Sequence, residues 1–313
     1  MANQRYEAFL HVAETGSFKE AAQTMGYTQA GVSYLVNALE KELDCTLFVR
    51  DYGGAHLTAE GEQLLPWIQD VSNAERRLAA RLGEVKNLES GTVHVSTFTS
   101  TAIQWLPGIA KAFSTQHPGI ELRITLDDDQ DELERMLWRG DADCGFVVAP
   151  LARKLHAIHL RNDPLLVALP ADHSLAGAES FPTARMASEP YIRLKSGVFS
   201  EIDAYFKQVG VEPRMRFNID SDYAVMSMVS EGLGYSVLPG LILRDAPFPL
   251  AVLPPEKPIE RRVGIALRSM EAASAATRAF LDVAQAWVEQ AYEKAALSPC
   301  GERTALMCRI IQR

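Results

Sequence analysis

An α/β chain fronted by a small all-α unit is what the sequence predicts, and three features predict it. In the first 43 residues apolar side chains recur at spacings of three and four, with breaks at Gly16 and Gly26. From Leu64 to Val85 they recur alternately every four and three residues along one helical stretch. After Gly91, short strand-like runs alternate with amphipathic helical runs, the pattern of a mainly parallel sheet covered by helices. With 313 residues, 47% hydrophobic and 23% charged, the chain can bury more than one core.

The front elements follow in order. Phe9, Leu10 and Val12, then Phe18, Ala21, Ala22 and Met25, give apolar faces to two short helices separated at Gly16. After Gly26, Val32, Leu35, Val36, Leu39 and Leu43 form the stripe of a third helix, with Thr28 placed to cap its first turn. Three such helices close around one small core. The opposite face of the third helix shows Gln29, Ser33 and Asn37 in a row at intervals of four, beside Ala30, Tyr34 and Lys41. Amides and hydroxyls can hydrogen-bond base edges or phosphates, and an alanine methyl can sit against a thymine methyl, so the row suits a major groove. A solvated polar face accounts for the same pattern.

A long helix is expected from Thr58 to about Leu88. Leu64, Ile68, Val71, Leu78, Leu82 and Val85 make a coiled-coil seam interrupted by Glu75, and Pro66 should kink or begin its regular part. Docking of this helix on its own domain is the alternative. Beyond "NLESG" the strand-helix units begin: VHVST, a helix holding Ile103, Leu106, Ile109 and Phe113, ELRITL, a helix near 131–139, and CGFVV. A second set runs from PLLVALP through PYIRL, a helix near 200–209, RFNI, a helix near 222–231, and GYSVLP. RRVGIAL crosses back, and a helix near 271–292 closes the first lobe, so two lobes flank a cleft.

Several function classes find no support. The start of the chain lacks a basic segment followed by an apolar run and cleavage site, and no stretch approaches roughly 18 uninterrupted apolar residues. The expected location is therefore cytoplasmic, with no membrane partner. Cys45, Cys144, Cys300 and Cys308 show neither CxxC spacing nor scaffold density, so thiols are expected. GxSxG, HExxH, P-loop and GxGxxG patterns are missing, the seven histidines are scattered, and neither enzyme, metal nor cofactor is expected. The acidic run "DDDQDE" at 127–132 reads as the acid-rich start of a helix; a hard-cation site is the alternative.

The front segment resembles the amino-terminal domain of LysR-type transcriptional regulators. The matching stretches are AETGSF at 13–18, the AA pair at 21–22, TQ at 28–29, VS at 32–33, ALEKEL at 38–43, LFVR at 47–50 and LTAEGEQLL at 57–65. Looser matches follow in the right order: WLPGIAKAFSTQHPGIELRI at 105–124, WRGDADCGFVV at 138–148, LPADHSLA at 169–176 and MVSEGLGYSVLPG at 228–240. The resemblance implies a winged helix-turn-helix over 1–62, a dimerisation helix over 58–90, and a two-lobed, type II periplasmic-binding-protein-like effector domain over 91–292. Lobe I would hold 91–163 and 267–292, and lobe II 164–266. It also implies double-stranded promoter DNA, a small-molecule effector, a homodimer or homotetramer, and RNA polymerase as partners. The tail 293–313 lies beyond the likeness.

Carried over by position, Thr28, Gln29, Ala30, Ser33, Tyr34 and Asn37 would read or position DNA, Ser17 would contact its backbone, and Arg50 with the loop 51–56 would form the wing. Ligands of such folds bind where strands end and helices begin. That places Phe98, Thr99, Ser100, Thr101, Asp128, Asp129 and Val148 of one lobe opposite Lys195, Ser196, Gly197, Val198 and Asp222 of the other. The expected effector is an anionic metabolite; a cationic one becomes attractive if the acidic run faces the cleft.

Two departures bear on function. The family commonly carries proline and alanine where Ala30 and Gly31 stand, and a basic residue near Tyr34 or Asn37, so the reading face here is expected to be uncharged. Residues 1–62 hold four basic side chains against nine acidic ones, a net charge of −5 within a chain of −9. Affinity for DNA grows with the phosphates neutralised by Lys and Arg. A small-molecule-binding or sequestering protein whose front domain has weak or lost DNA affinity is therefore the competing reading.

Overall fold

The computed structural model describes residues 2–51, 54–86, 91–195 and 199–297. Expectations placed on Tyr52 and Gly53 of the wing, on 87–90, on Ser196, Gly197 and Val198, and on the tail from 298 lie outside the described residues. So do the side chains of Leu82 and Val85. The chain divides into two compact units, Met1–Leu88 and Glu89–Arg313.

In the first unit, α1 (Ala2–Thr15), α2 (Phe18–Met25) and α3 (Gln29–Leu43) are followed by a two-stranded antiparallel ribbon of β1 (Phe48–Asp51) and β2 (Gly54–Leu57), then α4 (Ala59–Lys86). Each boundary has a local cause. Gly16 and Gly26 take left-handed backbone after α1 and α2. Ser17 and Thr28 accept from the amides of Glu20 and Gly31 to cap α2 and α3. Thr58 caps α4 at the Gly61 amide, while its own hydroxyl donates to the Thr46 carbonyl. Phe9, Val12, Phe18, Ala21, Val32, Val36, Leu39, Leu47, Phe48 and Ala55 form one core. Ile68 belongs to this core and Leu64 packs against it, so the first part of the expected seam docks α4 on its own unit. Trp67, Val71 and Leu78 of α4 are 68%, 44% and 61% exposed. Among the described residues, no helix is long and apolar enough to cross a membrane.

The second unit begins with β3 (Gly91–Thr97), α5 (Thr99–Gln104), α6 (Leu106–Gln116), β4 (Ile120–Leu126), α7 (Gln130–Arg139) and β5 (Cys144–Ala149). A single long strand, β6 (His156–Pro170), leads out of the first lobe. The second lobe holds α8 (Thr183–Ser188), β7 (Pro190–Leu194), α9 (Phe199–Val209), β8 (Arg214–Ile219), α10 (Asp222–Ser230), β9 (Ser236–Pro239), α11 (Gly240–Leu243) and β10 (Leu250–Leu253). Strand β11 (Glu260–Leu267) returns, and α12 (Ala275–Leu297) covers lobe I.

Strands follow the order β10-β6-β11-β5-β3-β4, with β9 also on β6. Pairs β3–β4, β3–β5 and β7–β8 are parallel, but β11 runs antiparallel to β5 and β6, and β6 antiparallel to β9 and β10. The sheet is thus mixed rather than mainly parallel, because a strand that enters one lobe and a strand that leaves it must run in opposite directions side by side. Residues 156–164 of β6 pair with β11 in lobe I, and 165–170 pair with β9 and β10 in lobe II. In the second half Leu165, Val167 and Leu169 enter one core while Leu166 and Ala168 enter another. Burial on both faces explains why that half is continuously apolar.

Candidate functional sites

On the first unit, Gln29, Ala30, Tyr34 and Asn37 are exposed and Ser33 is half-buried on the face of α3 away from the core. Tyr34 is 73% exposed. Ser17 and Thr28 are helix caps whose side-chain oxygens are engaged with backbone amides. Arg50 changes the chemistry expected of this face. From β1 its guanidinium donates through Nη1 to Ser33 Oγ at 2.8 Å and through Nη2 to Asn37 Oδ1 at 3.1 Å. It also lies 4.0 Å above the centre of the Phe18 ring. The face expected to be uncharged therefore carries a cation supplied from the wing.

The wing is held close to the helical core by backbone contacts. The Ala55 amide donates to the Gly16 carbonyl at 2.7 Å. A Cβ on Gly54 would stand 2.6 Å from that same oxygen, and its φ of +125° already disfavours a side chain. Glu40 of α3 accepts from the amides of Leu47 and Phe48, which fixes the start of β1.

In the second unit the start of α5 meets the end of β4. Thr99 donates from its amide and hydroxyl to the two carboxylate oxygens of Asp128, at 2.8 and 2.7 Å. Ser100 is buried, and its Oγ accepts from Arg261 Nη2 at 2.7 Å. Arg261 Nε donates to Asp163 Oδ2 at 2.8 Å, and Asp163 Oδ1 accepts from the Leu241 amide at 2.9 Å. Ser100 stands in lobe I, Asp163 and Arg261 in the two crossing strands, and Leu241 in lobe II, so one buried polar chain ties the lobes together. Burial pushes the Asp163 carboxyl up, opposed by the guanidinium of Arg261. Arg261 also lies 5.1 Å over the ring of Phe98.

Asp222, in the first turn of α10, brings a carboxylate from lobe II within electrostatic reach of Asp128 and Arg261. Burial and the negative charge of Asp128 push it up to about 6, and Arg261 opposes them. The remaining expected positions do other work. Thr101 is fully buried and bonds to Thr97 and the Phe98 carbonyl. Asp129 caps α7. Val148 has both backbone groups engaged by the Gln130 side chain. Lys195 is exposed, and its amide closes the end of β7 against Ile219.

Asp127 accepts from the Asp129 amide, and Asp131 is held below the usual carboxylate range by Arg153, with Arg135 assisting. Among the described residues no three His, Cys, Asp or Glu side chains gather as a metal site. The residues that sequence reasoning missed are Asp163 and Arg261. A charge embedded in NDPLLV and another in ERRVG, both otherwise strand-like, are the signals that could have found them.

Comparison with known proteins agrees with this geometry. Residues 4–62 match the model of the bacterial regulatory helix-turn-helix protein, lysR family, and residues 86–289 match that of the LysR substrate binding domain. The uncharacterized HTH-type transcriptional regulator YvbU of Bacillus subtilis is 30% identical over 288 residues, which cover 91% of this chain and 98% of that one. A full-length OxyR of Pseudomonas aeruginosa, solved as a cysteine-to-aspartate variant, superposes with a TM-score of 0.67 at 22% identity, covering 92% of this chain and 95% of that one. Full-length CbnR, solved with its target DNA, gives 0.60 at 20% identity, with 91% and 99% covered. These two likenesses speak to the fold, whereas the family models and YvbU speak to descent: the chain belongs to the LysR family of bacterial transcriptional regulators.

Proposed function

We propose that the exposed face of α3, together with Arg50, enters the major groove of a partly palindromic promoter site, and that a metabolite bound at the floor of the two-lobed cleft sets how paired domains sit on that DNA. One observation carries the DNA reading: Gln29, Ala30, Tyr34 and Asn37 stand outward on a capped helix that buries its other face, with a guanidinium laid among them. CbnR, a relative by fold, has been solved on its target DNA, which supports the same use of this unit. Two copies acting together, as a dimer or tetramer in the cytoplasm, would compensate for the few phosphates each domain neutralises. RNA polymerase is the natural further partner at a promoter.

The chain's own upstream DNA is the first probe. A mobility shift that responds to candidate metabolites supports the proposal, and its absence, with metabolites still bound, supports the sequestering protein that the domain's negative charge favours. An effector carboxylate would be held by Lys195 and the hydroxyl-bearing start of α5. Asp222 favours a second reading, in which the effector carries a protonated nitrogen between Asp222 and Asp128. The sign of the pH dependence separates them. A carboxylate effector tightens as pH falls through about 6 and Asp222 takes up a proton, while a protonated nitrogen tightens as pH rises through it.

A further inference from the structure

We propose that Arg50 and Asn37 form one donor-rich reading unit, which selects guanine at a position where Asn37 alone would select adenine. The inference rests on the DNA-binding reading above. An amide reads adenine by accepting from N6 while donating to N7, so it needs its oxygen as well as its nitrogen. Here Asn37 Oδ1 already accepts from Arg50 Nη2 at 3.1 Å, which takes one of its two lone pairs and turns the oxygen toward the wing. Arginine can only donate, so this contact also fixes which end of the amide faces the wing.

The guanidinium itself has capacity to spare. Of five N–H groups, one reaches Ser33 and one reaches Asn37. Among the described residues no carboxylate pairs with it, and its plane is steadied by the Phe18 ring 4.0 Å away. The remaining guanidinium N–H groups and the Asn37 amide nitrogen therefore make the outward surface rich in donors. Guanine offers two acceptors, O6 and N7, on its major-groove edge, and adenine offers one acceptor beside a donor. The unit complements the first edge and opposes the N6 donor of the second. The cation absent from the row of Gln29, Ser33 and Asn37 in the sequence is thus supplied to it from β1, at a place where it can discriminate between bases.

The test is selection from a randomised duplex library by the full-length chain, by Arg50→Ala and by Asn37→Ala, with a thermal melt of each. The intact chain should fix a guanine in each half-site. Arg50→Ala, which frees Asn37, should shift the guanine-to-adenine ratio at that position by roughly tenfold or more toward adenine. Asn37→Ala, which removes one donor and the acceptor that holds Nη2 but leaves Arg50 in place, should still favour guanine there, with a weaker preference than the intact chain. The proposal falls if Arg50→Ala weakens every sequence alike and leaves the selected motif unchanged, since Arg50 would then contact phosphate alone. It falls equally if Asn37→Ala turns the selected base to adenine, or leaves the guanine preference as strong as in the intact chain, however Arg50→Ala folds. Failure of the intact chain to select any motif would instead sink the DNA-binding reading beneath it.

Discussion

Asp222 is a half-buried carboxylate that folding makes harder to ionise, and that gives its stability contribution a definite sign. Its pKa lies at about 6 in the fold, against about 4 in an unfolded chain. A raised pKa means that the folded state binds the proton more tightly, so this contribution is complete below about pH 4 and is lost as pH rises through about 6. An asparagine at the same position would not ionise. Asp222→Asn should therefore be close to neutral at pH 4.5 and stabilising at pH 7.5, by about 1 kcal/mol once solvent screening is allowed for. Thermal melts at the two pH values check the difference; an equal effect at both would remove the electrostatic explanation. Replacing Asp163, by contrast, should destabilise the fold. Truncating it leaves the buried guanidinium of Arg261 without its partner, which costs about 3–5 kcal/mol. Chemical denaturation of Asp163→Ala measures that loss, and a change under about 1 kcal/mol would mean that the lobes are tied by something else. Neither residue announced its partner in the sequence, because Asp163 and Arg261 are 98 positions apart and only strand pairing between β6 and β11 brings them together.

At the scale of elements, helices were the more legible class, since each carries its own stripe, cap and breaker within a dozen residues. Thr28, Gly26 and Val32 through Leu39 specify α3 without help from elsewhere. The spacing through Leu64, Ile68 and Val71 was legible too, but periodicity reports that a face is buried and not against what. Ile68 went to the core of its own unit and Val71 stayed exposed. The first half of β6 was missed for a related reason. His156–Asp163 is polar and pairs chiefly through its backbone with β11, so neither an apolar run nor strict alternation marks it. The wing shows how an element can depend on one backbone position. At Gly54, alanine would need both an unfavourable φ and a displaced Gly16 carbonyl. Gly54→Ala should destabilise the first unit by more than about 1 kcal/mol. By shifting β1 it should also lower DNA affinity, as followed by fluorescence anisotropy. Unchanged stability together with unchanged affinity would show that the wing relaxes freely.

For the whole molecule, charge decides how binding responds to salt. Residues 1–62 are net negative, and Arg5 is already engaged by Glu42. Lys19, Lys41 and Arg50 are left as exposed cations. If Arg50 is assigned to a base, each domain offers two lysines to phosphates, and a pair of domains on one duplex neutralises about four. Each neutralised phosphate contributes roughly −0.9 to the slope of log affinity against log salt, which gives a slope near −4. Nonspecific binding comes almost wholly from this term, so it should be weak, while the specific complex should survive salt that strips more basic regulators from DNA. Titrating the selected duplex and a scrambled one between about 50 and 300 mM salt measures both consequences. A slope of about −8 or steeper would mean that cations outside the front domain neutralise the backbone. In that case the acidic character of residues 1–62 would have no bearing on how this regulator finds its site. A slope near −4 would place selectivity in the neutral amides, the hydroxyls and the single guanidinium of the α3 face.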